Sequence, residues 1–178
     1  MIKIEDLVQL KAFARQDGAI LCLLWAASFM ALMYMPESGL GNILALTTPF
    51  LVGWRLCSFR NYALGGFISF RRSYGYCAYT FIYASMIFAL AQYLYFKFLD
   101  NGTFYAMVAT SATTMSEVYR QAGMSTQDID AALGMMKSLS PIHWAFIFMM
   151  QDFIVGLVLS LPIAAACRRL RPTANKQG

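Results

Sequence analysis

The sequence is poor in charged residues and lacks the short motifs on which most enzymes depend. Asp, Glu, Lys and Arg make up 13% of its 178 residues, against about 25% in ordinary soluble domains. It contains a single histidine and no phosphate-cradling glycine loop, His-Glu-x-x-His sequence or nucleophile elbow. We therefore expect a protein that is not an enzyme and has no cofactor.

Cysteine is also scarce, and its spacing does not favour a metal site. The four cysteines are Cys22, Cys57, Cys77 and Cys167. They include no Cys-x-x-Cys pair and have no histidine nearby, so we predict buried structural thiols. Disulfides are not expected, because all four cysteines lie toward those ends of apolar stretches that neighbouring basic residues mark as cytoplasmic, where the environment is reducing.

What the chain does have is hydrophobic sequence, 59% of all residues. Four apolar stretches are long enough to cross a bilayer, which requires about 20 residues per helix. They cover residues 18–35, 40–57, 76–98 and 142–166. The predicted fold is all-α: one polytopic membrane domain over residues 1–178 with four transmembrane helices. In such a protein, the net charge of +5 reflects basic residues that orient the helices in the membrane. We therefore do not expect nucleic acid as a partner.

The distribution of basic residues predicts the orientation. Eleven of the fourteen lie on one side of the four spans: Lys3, Lys11, Arg15, Arg55, Arg60, Arg71, Arg72, Arg168, Arg169, Arg171 and Lys176. The other side has only Lys97, Arg120 and Lys137. By the positive-inside rule, both termini are predicted to be cytoplasmic.

Three segments outside the spans have patterns of their own. Residues 2–15 are amphipathic and fit either a separate interfacial helix or an extension of the first span. Gly65-Gly66 predicts a helix break. Residues 101–140 predict two short surface helices on the non-cytoplasmic side, divided at Gly123, with Ser125 as the N-cap of the second. Ser140-Pro141 marks the start of the fourth span.

The predicted cytoplasmic face is a candidate for contact with lipid headgroups or a partner protein. The residues concerned are Arg55, Arg60, Arg71, Arg72, Arg168 and Arg169. Each base near an acidic leaflet adds about 1 kcal/mol of attraction. The alternative is that these charges only enforce the topology.

Asp152, beside Gln151, lies near the middle of the fourth span, where a carboxylate costs about 2.5 to 3.5 kcal/mol. Small residues follow it at intervals of four on one helical face: Gly156, Ser160 and Ala164. This spacing predicts a close helix contact. The candidate partners of Asp152 are Gln92 of the third span, Asn42, Thr47 and Thr48 of the second span, or a protein from outside this chain. Two interpretations are open, a buried acid that hydrogen-bonds two helices and a proton or cation site. The first is favoured, because no second intramembrane charge accompanies Asp152.

Two short sequences carry a resemblance to a known family. They are Ile68-Ser69-Phe70 before the third span and Tyr95-Phe96-Lys97-Phe98-Leu99-Asp100 after it. With four spans, the chain resembles the small membrane proteins of domain of unknown function family 4199, a family typical of Bacteroidetes. The resemblance implies a multi-pass protein of a bacterial inner membrane without known catalytic residues. It further implies an association with membrane-associated family-2 glycosyltransferases of the polyprenyl-phosphate sugar type.

Two functions are compatible with these features. The first is a non-catalytic membrane subunit or scaffold that anchors or assists such a glycosyltransferase in the lipid bilayer. The second is a small transporter or flippase-like protein that works as a homo-oligomer and uses Asp152.

Overall fold

The computed structural model describes residues 4–121 and 127–169. Its helices are α1 (Ile4–Tyr34), a 3₁₀ turn (Pro36–Ser38), α2 (Leu40–Leu46), α3 (Thr48–Ala63), α4 (Phe70–Phe98), α5 (Thr103–Gln121), α6 (Gln127–Ser138) and α7 (Pro141–Cys167). Four segments are long and apolar enough to cross a membrane: Leu7–Tyr34, Leu40–Ala63, Phe70–Phe98 and Pro141–Cys167. The described residues contain no strand. The predicted all-α fold with four candidate membrane spans is thereby confirmed.

The first and third spans belong to longer helices than predicted. The amphipathic residues from Ile4 onward continue without a break into the first span, so they extend that span and do not form a separate helix. α4 begins at Phe70, six residues before the predicted start at Tyr76. The Gly65-Gly66 break is confirmed, because both glycines have positive φ, 63° and 88°.

The second span is interrupted at Thr47, between α2 and α3. The Thr47 N–H reaches the carbonyl oxygens of Ile43 and Leu44, each at 3.1 Å. Pro49 occupies the first turn of α3, where its missing N–H leaves no intrahelical bond unmade. α3 then continues to Ala63, beyond the predicted end at residue 57.

Contacts divide the chain into two compact units. The first unit is Met1–Ala89 with Phe148–Gly178, and the second unit is Leu90–Ile147. In the first unit, buried residues of α1, α3, α4 and α7, together with Ile68 of the link between α3 and α4, form one hydrophobic core. Its members are Leu10, Ala14, Leu21, Val52, Leu56, Phe59, Ile68, Tyr76, Cys77, Phe81, Ala84, Ile163 and Cys167.

Glycines allow helices of the first unit to approach closely. A Cβ atom on Gly18 of α1 would lie 2.9 Å from the Thr80 carbonyl oxygen of α4. A Cβ atom on Gly156 of α7 would lie 2.5 Å from Cγ of Phe81, also on α4. Both distances are shorter than ordinary van der Waals contact of a carbon atom with oxygen or carbon, so a side chain at either position would force the helices apart.

The second unit contains α5 and α6, which contact each other. α5 and α6 are the two helices predicted between the third and fourth spans. Their location on the surface of the non-cytoplasmic side stays a prediction. The predicted break at Gly123 and N-cap at Ser125 lie outside the described residues. α7 begins at Pro141 directly after Ser140, as predicted.

The spans expose most of their side chains. In the most apolar window of each span, between 17% and 39% of the residues are buried. Leu23, Phe50 and Val158 are 71%, 76% and 61% exposed. Contiguous apolar surface of this kind is unfavourable in water, at about 25 cal/mol per Å², so a lipid environment is what stabilises it.

We expect Gly156→Ala to lower the thermal stability of the detergent-solubilised protein by about 1 to 3 kcal/mol, because the added methyl group overpacks Phe81. Gly75→Ala is the matched control, since a Cβ atom there meets nothing within 4 Å. The control should be neutral or stabilising by up to about 1 kcal/mol. Equal unfolding temperatures for the two variants in a thermal-shift assay would contradict the close approach.

Candidate functional site

A buried polar cluster joins three helices of the first unit: Asp17 of α1, Arg55 of α3 and Tyr76 of α4. Arg55 Nε donates a hydrogen bond to Asp17 Oδ1 at 2.6 Å, and Arg55 Nη2 forms an ion pair with the same oxygen. The Tyr76 hydroxyl donates to Asp17 Oδ2. Both oxygens of the carboxylate are therefore engaged, each by a different helix.

The cluster is largely withdrawn from solvent. The Asp17 side chain is 2% exposed and that of Arg55 is 25% exposed, while Tyr76 is fully buried. The Tyr76 ring stacks on Phe59 with centroids 4.9 Å apart and planes 11° from parallel. Stacking holds the ring in place, so the Tyr76 hydroxyl is positioned to donate its hydrogen bond to the carboxylate.

Sequence reasoning missed Asp17 as a site residue and assigned Arg55 to lipid or partner contact. In the structure the Arg55 guanidinium is bound within the protein. The sequence does contain a pattern that indicates burial of Asp17. This residue shares a helical face with Leu10, Ala14 and Leu21, which are buried. Spacings of three and four residues place these side chains in one row.

The other predicted contact arginines, together called the basic end, are Arg60, Arg71, Arg72, Arg168 and Arg169. Two of them are used internally. Arg60 Nη1 donates to the carbonyl oxygen of Cys167, the last residue of α7, at 2.8 Å, a position where the helix dipole favours a cation. Arg72 Nη2 makes a longer hydrogen bond, 3.4 Å, to Gln9 Oε1. The side chains of Arg71, Arg168 and Arg169 are exposed.

A short backbone pairing fastens the link between α3 and α4 to the end of α7. The Ile68 N–H donates to the Arg169 carbonyl oxygen at 2.8 Å, and the Arg169 N–H donates back at 3.0 Å. Ile68 is 3% exposed, and the Arg169 guanidinium lies 5.9 Å from the Phe67 ring centroid. The basic end therefore has a fixed backbone.

The predicted contact face of α7 is buried in the first unit. Ser160 and Ala164 have no exposed surface, and Gly156 packs against Phe81. Ser160 Oγ donates to the Gly156 carbonyl oxygen at 2.7 Å, so the hydroxyl is satisfied within its own helix.

Asp152 is half-buried at the start of this face, and its neighbour Gln151 is exposed. Asp152 Oδ2 is enclosed and has no hydrogen-bond partner among the described residues. Two of its candidate partners are engaged elsewhere, because the Thr47 hydroxyl donates to the Leu44 carbonyl oxygen and Thr48 Oγ1 accepts from Trp25 Nε1.

Gln92 belongs to the second unit. Its side chain is 2% exposed, and within the described residues its Oε1 has no hydrogen-bond donor. A buried amide oxygen without a donor is costly.

Asp17, Arg55 and Tyr76 form a structural cluster, because their polar groups bind one another across three helices. In residues 4–121 and 127–169, no three His, Cys, Asp or Glu side chains are grouped so that they could hold a metal ion. The basic residue of the cluster is a guanidinium, which does not deprotonate in proteins and so cannot act as a general base.

Arg55→Ala should destabilise the protein by about 3 to 5 kcal/mol, because it leaves the Asp17 carboxylate buried without its counter-charge. Adding Asp17→Asn to this variant should recover part of the loss. Arg120→Ala is the control, since it removes an exposed ion pair with Glu117 that is worth at most about 1 kcal/mol. Unfolding in mixed detergent micelles measures the wild type, the two single variants Arg55→Ala and Asp17→Asn, the double variant and the control, and strictly additive losses would contradict the coupling.

Comparisons with known proteins give one match. The model of the family described as "Protein of unknown function (DUF4199)" matches residues 16–169, which include the buried cluster and every predicted contact residue. No curated protein and no solved structure matches the chain. Because the match covers most of the chain, this protein belongs to the DUF4199 family.

Proposed function

We propose that the protein is a non-catalytic integral membrane subunit whose basic end supports a membrane-associated partner. The observation that carries this proposal is the reciprocal backbone pairing of Ile68 and Arg169. The side chains of Arg71, Arg168 and Arg169 are exposed. Because this pairing already holds the backbone near them in place, a partner that binds them does not have to order it. Preordering of this kind reduces the entropic cost of association.

The way the polar residues are used supports the same proposal. Asp17, Arg55 and Tyr76 bind one another, and Arg60 binds the end of α7. These groups hold helices together, and a subunit that positions a partner requires such rigidity. A reaction centre would instead need polar groups that converge on a substrate.

The proposed location rests on the distribution of basic residues, and the proposed partner rests on the family resemblance. With the basic end in the cytoplasm, as the positive-inside rule predicts, the protein would lie in a bacterial inner membrane with both termini inside. Its exposed arginines would then face acidic lipid headgroups and a protein at the membrane surface. The partner we propose is a membrane-associated glycosyltransferase that uses polyprenyl-phosphate sugars, the class implied by the family resemblance.

Purification of the full chain in mild detergent from its own host tests this partner. We expect a glycosyltransferase to copurify, and we expect the double variant Arg71→Gln, Arg168→Gln to lose most of it. Arg120→Gln removes a charge from α5 and should have no effect. Recovery of the protein alone, with unchanged glycosyl transfer after deletion of its gene, would refute the proposal.

A second candidate function, an oligomeric transporter or flippase-like protein, is favoured by one observation. Asp152 Oδ2 is enclosed without a hydrogen-bond partner among the described residues. An ionisable group held inside a membrane marks a proton or ion pathway in many transporters. Exposed Gln151 beside it offers a polar contact for a second copy of the chain.

Asp152→Asn separates the two functions, because Asn keeps most hydrogen bonds of a carboxyl group and cannot carry a proton. For a membrane subunit, we expect the variant to retain its copurifying partner. We also expect the wild-type protein in liposomes to give no proton flux to an internal pH dye under a potassium diffusion potential. Flux in the wild type that disappears in Asp152→Asn would establish the transporter instead.

A further inference from the structure

The second unit contains a cavity of about 170 Å³ that is separate from the residues discussed above. Its walls come from the last residues of α4, the beginning of α5, the end of α6 and the first turn of α7. The candidate spans of α4 and α7 end at Phe98 and begin at Pro141. The cavity therefore lies where two membrane-crossing helices leave the bilayer core, the depth of lipid headgroups.

Aromatic rings form one wall of the cavity. Phe104 packs edge-on against Phe96 and Trp144, with centroid distances of 5.3 and 4.9 Å. The Phe96 and Trp144 centroids are 6.1 Å apart. Because each ring contacts the other two, the wall is rigid, and a ring face in it can interact with a cation.

Two opposite charges also line the cavity, Asp100 and Lys137. Asp100 Oδ1 accepts a hydrogen bond from the Phe104 N–H at 3.1 Å, which fixes the orientation of the carboxylate. Lys137 Nζ lies 5.5 Å from the Tyr105 ring centroid. The salt bridges found among the described residues do not pair Asp100 with Lys137, so each charge is available to a ligand.

The chemistry of these walls selects one kind of ligand. A carboxylate beside aromatic rings favours an ammonium group, and an ammonium side chain favours a phosphate. A purely anionic headgroup would meet the Asp100 carboxylate at like charge. A neutral sugar would leave both charges without a counter-ion. A water molecule needs about 10 to 15 Å³ of such a cavity, so the volume admits a small headgroup.

We propose that this cavity binds the zwitterionic ammonium–phosphate headgroup of a phospholipid, with the ammonium at Asp100 and the aromatic wall and the phosphate at Lys137. The site does not depend on the basic end or on the proposed partner. Phosphatidylethanolamine and phosphatidylcholine share this headgroup chemistry, and the experiment distinguishes between them.

Native mass spectrometry of the full-length protein in detergent tests the site, with one purified lipid added at a time. We expect phosphatidylethanolamine, phosphatidylcholine or both to bind more tightly than phosphatidylglycerol of the same acyl chains. Lys137→Gln and Asp100→Asn should each weaken that binding by about tenfold, the effect of losing one charge-assisted contact. In Asp100→Asn the side-chain oxygen still caps the Phe104 N–H, so the variant should remain folded.

Lys97→Gln is the matched control. Lys97 is an exposed cation near the end of α4, with Nζ 5.4 Å from the Tyr93 ring centroid and 5.2 Å from that of Phe98. It is not part of the cavity wall. Its replacement should leave lipid binding unchanged. Tighter binding of phosphatidylglycerol by the wild type would overturn the proposal. So would unchanged zwitterion binding in both cavity variants when circular dichroism shows them to be folded.

Discussion

The carboxylate of Asp17 holds the first unit together, because its two oxygens bind two other helices. Arg55 brings α3 to one oxygen, and Tyr76 brings α4 to the other. A charged group so fully enclosed is tolerated only when it is paired and its remaining lone pairs are satisfied. The contact thus excludes arrangements in which α1, α3 and α4 shift past one another.

The need for such a contact follows from the solvent. Lipid is as apolar as the side chains that face it, so burying leucine between helices in a membrane gains little hydrophobic free energy. Association then depends on close packing and on polar bonds between helices. The first unit uses both, with Gly18 and Gly156 packed closely against α4 and the Asp17 cluster joining α1, α3 and α4. The exposed leucines and valines keep the unit in the bilayer without specifying its internal arrangement.

Sequence patterns predicted those features that depend on neighbouring residues. Apolar runs identified the four spans. Gly65-Gly66 indicated the break after α3, and Ser140-Pro141 indicated the start of α7.

The contact between Asp17 and Arg55 could not be predicted in this way, since the two residues are 38 positions apart and their contact depends on how three helices pack. Pro49 indicates a kink in the second span, but the sequence alone does not show that the helix is interrupted at Thr47. The cavity of the second unit likewise brings together Asp100 and Lys137, which have no relation in the linear sequence.

The pairing of Ile68 with Arg169 imposes an order on biogenesis. A ribosome completes the link between the second and third spans about a hundred residues before it reaches Arg169, and this delay is long compared with the time in which helices form. During that interval the link has no partner for its backbone groups. It becomes fixed only when α7 has been inserted, so the arginine-bearing surface forms after the helices that precede α7.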